Sequence, residues 1–181
     1  IAVIFAVAVV PRAHVVAAVK NIGTLDEQTA KAGKIAEDRY FASYPFHPDL
    51  TDVLYSKWTN LPNFQRTRGI LRTFALALRD AAKWDASPLI GPNVFLSDQP
   101  TNPISEGLQE LISVATNADP EGKKPDWAGI MTGELQKANA IQQEIPGLAC
   151  RELEQAVIST FLHSQPIGQR ALTAEILALI G

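Results

Sequence analysis

Asn63-Phe-Gln-Arg-Thr-Arg-Gly-Ile-Leu-Arg72 sets three arginines, Arg66, Arg68 and Arg72, at the start of an apolar run that reaches about Trp84. An α-helix turns once in about 3.6 residues. A helix starting near Phe64 therefore predicts one buried stripe of Leu71, Phe74, Ala75, Leu78 and Ala82. On the same wheel Arg68, Arg72 and Arg79 fall within roughly 40° of one another, on a neighbouring face. One side of this helix is expected to enter a core while the adjacent side presents guanidinium groups. Arginine suits such an edge, because its planar fork matches the oxygens of a phosphate or a carboxylate. The plainer alternative for the same residues is pairing with acidic neighbours on a solvated face.

Upstream, Tyr44-Pro-Phe-His-Pro-Asp-Leu50 places Pro48 where a helix can begin, since a first-turn N–H goes unbonded anyway. The helix it opens is expected to bury Leu50, Val53, Leu54 and Trp58. His47, just before it, reads as a cap or packing residue rather than a metal ligand or base. Thr24-Leu-Asp-Glu27 is a capping box. It predicts a helix to about Ala42 that buries Leu25, Ala32, Ile35 and Ala36, with Gly33 weakening it. The chain opens on ten apolar residues closed by Pro11. Their β-branched content reads as a strand buried on both faces, with a buried helix as the alternative. The run is too short to cross a bilayer. His14 follows in a polar break and is expected to be structural or exposed.

Downstream, residues 87–98 are interrupted by Pro88, Gly91 and Pro92 and read as a loop with one short extended piece. Asn102-Pro103 predicts a helix start, with Asn as cap and Pro first inside, burying Ile104, Leu108, Leu111, Ile112 and Ala115. Residues 117–126, with Pro120, Gly122, Lys123, Lys124 and Pro125, are the best internal boundary. Three further helices follow. Trp127, Ile130, Leu135, Ala138 and Ile141 mark the first, ended by Pro146-Gly147. Leu153, Ala156, Val157 and Phe161 mark the second, and Thr173 caps a third through Ile176, Leu179 and Ile180.

The expected fold is mainly α: a helical bundle with an N-terminal strand or connector in residues 1–22 and a helical domain over 23–116. A C-terminal helical domain is expected over 126–181, its connection from His163 to Arg170 reading as the start of a winged-helix or helix-turn-helix unit but longer than the usual tight turn. The 181 residues are 46% hydrophobic and 19% charged, which supports a substantial core. A net charge of -3 gives no global attraction to nucleic acid. Arg170 is the one strong base near the last helix, so direct DNA reading there is disfavoured. A single cysteine, Cys150, excludes an internal disulfide framework and is expected to be a small buried side chain. The chain starts without Met and stops one residue past an apolar helix, as expected of part of a longer protein.

Complete catalytic sets are missing from the sequence. A phosphate-cradling P-loop needs Gly-x-x-x-x-Gly-Lys followed by Ser or Thr. Gly33-Lys34 is followed by Ile35 and has Gln28 at the leading position, and Gly122-Lys123 is followed by Lys124. His14, His47 and His163 are too far apart, with one cysteine, to suggest zinc. No metal site is expected. Any catalytic part played by this chain would be lent to a site built elsewhere.

Tyr44-Pro-Phe-His-Pro-Asp-Leu50, Leu54-Tyr55, Trp58, the stretch from Asn63 to Arg72, Pro88-Leu-Ile-Gly-Pro92 and Leu96-Ser-Asp98 together resemble a block of large prokaryotic AAA-type P-loop ATPases. That family is catalogued as a domain of unknown function, and some members sit in phage-defence gene clusters. The likeness is strongest over residues 44–98 and weaker around Thr160-Phe-Leu-His-Ser164. It implies a helical lid and C-terminal extension of a cytoplasmic ATP-binding protein, with ATP and Mg bound by the intact molecule. Its implied phosphate-sensing arginines are Arg68, Arg72 and Arg66, in that order. The implied partners are the remainder of the parent ATPase and, in a homo-oligomer, further copies. A non-enzymatic module binding protein or DNA is the alternative.

Overall fold

The computed structural model describes residues 34–87, 89–99, 102–117, 125–148 and 150–180. Among them seven α-helices follow in order: α1 (Lys34–Ser43), α2 (Pro48–Ser56), α3 (Arg66–Ala81), α4 (Glu106–Thr116), α5 (Trp127–Glu144), α6 (Glu152–His163) and α7 (Thr173–Ile180). The chain is mainly α, as its periodicity predicts. Extended pairing among the described residues is limited to isolated bridges, Phe46 with Ile90 and Leu96 with Ile104. No paired wing accompanies α6 and α7 within residues 150–180. The apolar opening, the capping box and the two lysines of the polar boundary lie outside the described residues.

Pro48 begins α2, and the His47 side chain accepts a hydrogen bond from the Asp49 N–H at 3.3 Å, the capping role expected of it. Leu50, Val53, Leu54 and Trp58 are all buried. Trp58 lies in a short 3₁₀ turn (Trp58–Asn60) and joins distant parts of the chain. Its indole N–H donates to the Leu162 carbonyl at 3.0 Å, and its ring centroid lies 5.7 Å from Phe64 and 5.6 Å from Phe161. Buried residues from Leu50 to Leu179 form one cluster, so the segments on either side of the polar boundary share a core. Burying each large apolar side chain contributes about 1.5–3 kcal/mol, which makes this cluster the main stabilising term.

Helices α3 and α4 run antiparallel, because Arg72 meets Glu110 while Arg79 meets Glu106. Gly107 is required at their crossing: a Cβ there would lie 2.7 Å from the Ala77 Cβ and 2.9 Å from its Cα. This close approach explains a correction. The buried face of α3 is Ile70, Thr73, Phe74, Ala77, Leu78 and Ala81, whereas Leu71, Ala75 and Ala82 are exposed. Both stripes are apolar. The small Ala77 and Ala81 side chains let a neighbouring backbone approach closely, so that face turned inward.

Other expectations shift for equally local reasons. Helix α3 starts two residues later than Phe64 and ends at Ala81 rather than near Trp84. Helix α4 begins at Glu106, with the Ser105 hydroxyl accepting from the Leu108 N–H, so Ser105 replaces Asn102 as cap. The five core residues predicted for this helix are nevertheless all buried, Ile104 from just before its start. Ile35, Ile130 and Ile141 are exposed instead of buried. Residues 90–96, expected as a loop, are buried throughout, and Pro92–Phe95 form a 3₁₀ turn. Cys150 is exposed rather than buried, since it precedes α6 outside the packed face.

Candidate functional site

The chain enters α3 through two left-handed non-glycine residues, Gln65 at φ 42° and Arg66 at φ 48°. Such backbone costs of order 1–3 kcal/mol per residue and persists only where surrounding contacts impose it. Here the buried Phe64 anchors the turn, and its carbonyl folds back onto the first turn of the helix. A Cβ on Gly69 would overlap the Phe64 carbonyl oxygen and stand 2.9 Å from its carbon, so only glycine fits. The fold-back makes a wall from Asn63 and Gln65 beside Arg68.

Between that wall and α4 lies an open groove of about 170 Å³, lined among others by Gln65, Arg68, Arg72, Thr73 and Glu110. The structure therefore brings Arg68 and Arg72 together and leaves Arg66 exposed outside the groove. Arg72 Nε lies 3.0 Å from Glu110 Oε1. Arg68 is exposed and has no carboxylate partner among the described residues. Arg79, which shares its face, is held by Glu106. Thr73 is fully buried, yet its hydroxyl has no hydrogen-bond partner among the described residues. A helical threonine commonly bonds the carbonyl four residues back, and this one does not. The groove thus offers one unpaired and one paired guanidinium, and Thr73 in its lining carries a buried, unsatisfied hydroxyl.

Compared with family profiles, curated proteins and solved structures, the chain gives no significant match. Its chemistry must be argued from the residues.

A second polar cluster lies where α5 and α6 meet residues 97–99. Glu154 is buried at 1% exposure and accepts from Arg151 Nε at 2.8 Å, Arg151 Nη2 at 2.6 Å and Gln142 Nε2 at 2.5 Å. Arg151 Nη1 donates to the Ser97 carbonyl at 2.8 Å, and the guanidinium carbon stands 5.5 Å from the Trp84 ring centroid. Burial raises the Glu154 pKa. Hydrogen bonds and charge from Arg151, with amide donors from Gln142 and Asn139, outweigh that and hold the carboxyl below its ordinary range. A cavity of about 380 Å³ adjoins this cluster, but Glu154 and the Arg151 fork are already occupied by one another. The arrangement clamps α5, α6 and Ser97, at the end of the buried 90–96 segment, together.

Among the described residues no group of three or more His, Cys, Asp and Glu is placed to hold a metal. No helix there is long and apolar enough to cross a membrane. His163 is buried, its Nδ1 2.8 Å from the Ser159 carbonyl, and Arg170 is exposed. Thr73, Gly69 and Glu110 had not stood out in sequence. One signal was available: Glu106 and Glu110, one turn apart, complement Arg79 and Arg72, two turns apart, on an antiparallel neighbour. The Arg151–Glu154 pair gave none, because a charged residue near a helix start ordinarily reads as surface.

Proposed function

We propose that this chain is the helical lid and C-terminal part of a larger ATP-binding protein of AAA type, and that the α3–α4 groove receives the nucleotide's terminal phosphate. The observation that carries this reading is the pairing of Arg68 and Arg72 on one groove while Arg68 lacks a carboxylate. The size of the groove also supports it. Pockets that enclose a whole small molecule run from about 300 Å³ upward, so this one suits a single phosphoryl group projecting from a ligand held elsewhere. The nucleotide and its Mg ion would sit on another part of the intact protein. Arg68 would stabilise charge on the transferring phosphoryl group, and the contact would couple turnover to lid movement.

The test is Arg68→Ala in the intact protein. ATP turnover should fall by roughly 10³-fold, the scale of an arginine contact to a transferring phosphoryl group, with the circular-dichroism spectrum unchanged. Normal turnover in that variant overturns the proposal.

One observation favours a second reading, a protein-binding helical module. Trp127, Ile130, Met131, Val157 and Phe161 line an open, mostly apolar groove between α5 and α6. Under that reading Ile130→Asp abolishes partner capture and Arg68→Ala changes nothing.

A further inference from the structure

We propose that Glu110 is an internal anion that an incoming phosphate displaces from Arg72, with the Thr73 hydroxyl as a third ligand, so that the groove selects dianions. This deepens the anion-groove reading above and rests on it. Arg72 and Glu110 line the same groove as Arg68, and their pair is solvent-accessible, at 66% and 31% side-chain exposure respectively. Exposed pairs of this kind are weak, so the arginine can be released. The net charge of Arg68, Arg72 and Glu110 is +1, which attracts an anion while Glu110 opposes it. A monoanion offers Arg72 no more charge than Glu110 already does. A phosphate dianion offers twice that charge and can engage both guanidinium groups bidentately.

Thr73 supplies the independent sign of a ligand. Thr73 lines the groove, and its hydroxyl is buried without a partner among the described residues, an arrangement that costs free energy for any buried polar group. A hydroxyl that donates to a bound phosphate oxygen removes that cost only when the ligand is present. It is therefore placed to favour the occupied state.

The experiment is a calorimetric titration of the full chain with inorganic phosphate, and with acetate as the monoanion, at about pH 8, where phosphate is largely dianionic. The wild type should bind phosphate and show no heat with acetate. Glu110→Gln should tighten phosphate about two- to fivefold, the range of an exposed ion pair. Glu106→Gln removes the same charge one turn away, beside Arg79, and should change nothing. Thr73→Val keeps the shape and should weaken phosphate roughly tenfold, as loss of a hydrogen bond to a charged group does. Equal effects of Glu110→Gln and Glu106→Gln, or unchanged affinity in Thr73→Val, overturn this inference while phosphate binding lost in Arg68→Ala leaves the groove reading standing. Absence of phosphate binding in both the wild type and Glu110→Gln overturns the two together.

Discussion

Arg68 and Arg151 stand at the starts of two helices with similar approaches and opposite surroundings. Helix α3 is entered through left-handed Gln65 and Arg66, and α6 through left-handed Arg151 at φ 61°, neither with a side-chain cap. Arg151 then meets a buried carboxylate, a backbone carbonyl and an indole face, and three of its nitrogens donate. Arg68 meets an open groove whose single carboxylate is already engaged with Arg72. The lesson is that donor saturation, not residue type, separates a structural arginine from an available one. At α6 the fork holds the fold together. At α3 the fold holds the fork in readiness.

The sharpest way to break this contrast is Glu154→Ala. It leaves the Arg151 charge among buried groups without its carboxylate and should cost about 3 kcal/mol, the low end for a broken buried pair because Arg151 is 27% exposed. Denaturant midpoints with unchanged m-values would check it, and a loss no larger than a surface substitution's would make the clamp a surface contact. Next is acid. Because the folded carboxyl of Glu154 is held below its ordinary range, the unfolded chain binds the proton more readily. The stabilisation is full above the ordinary carboxylate range and is lost as pH falls through the folded pKa. The stability gap between wild type and Glu154→Gln should therefore shrink on acidification, read from melts at descending pH, and a gap constant with pH contradicts it.

A smaller effect is expected where α3 and α4 cross. Gly107→Ala adds a methyl against Ala77 and should cost about 1–3 kcal/mol by overpacking, lowering the thermal midpoint and spreading α3 from α4. Smallest of all, Arg68→Ala should shift stability by less than about 0.5 kcal/mol, as surface substitutions do. A large loss there would show Arg68 to be structural, and the contrast with Arg151 would vanish.

Much of the helical framework was legible because its cues are local. Pro48 with Leu50, Val53, Leu54 and Trp58, and the apolar face of α4, behave as their spacing predicts. The buried faces of α3 and α6 do not. In α6 the inward residues include Glu154, Gln155, Ser159 and His163, while Leu153, Ala156 and Val157 are half-buried. A polarity pattern cannot anticipate that, since Glu154 is satisfied by Gln142 on α5 and by Arg151, Gln155 by the Cys150 carbonyl and His163 by the Ser159 carbonyl within α6 itself. At the groove, the shared face of Arg68 and Arg72 followed from helical spacing, but Glu110 and Thr73 did not.

Taken alone, the sequence determined that this chain forms helices, roughly where each lies, and that guanidinium groups collect at the start of one. Those properties depend on hydrogen bonds and side-chain spacing within a few residues. Tertiary structure decided which stripe of α3 turned inward, through the contact of Gly107 with Ala77, and which arginine kept its donors unpaired. Those choices depend on acceptors supplied from far along the chain, such as the Ser97 carbonyl that meets Arg151 and the Glu110 carboxylate that meets Arg72. Only the packed chain brings them within reach.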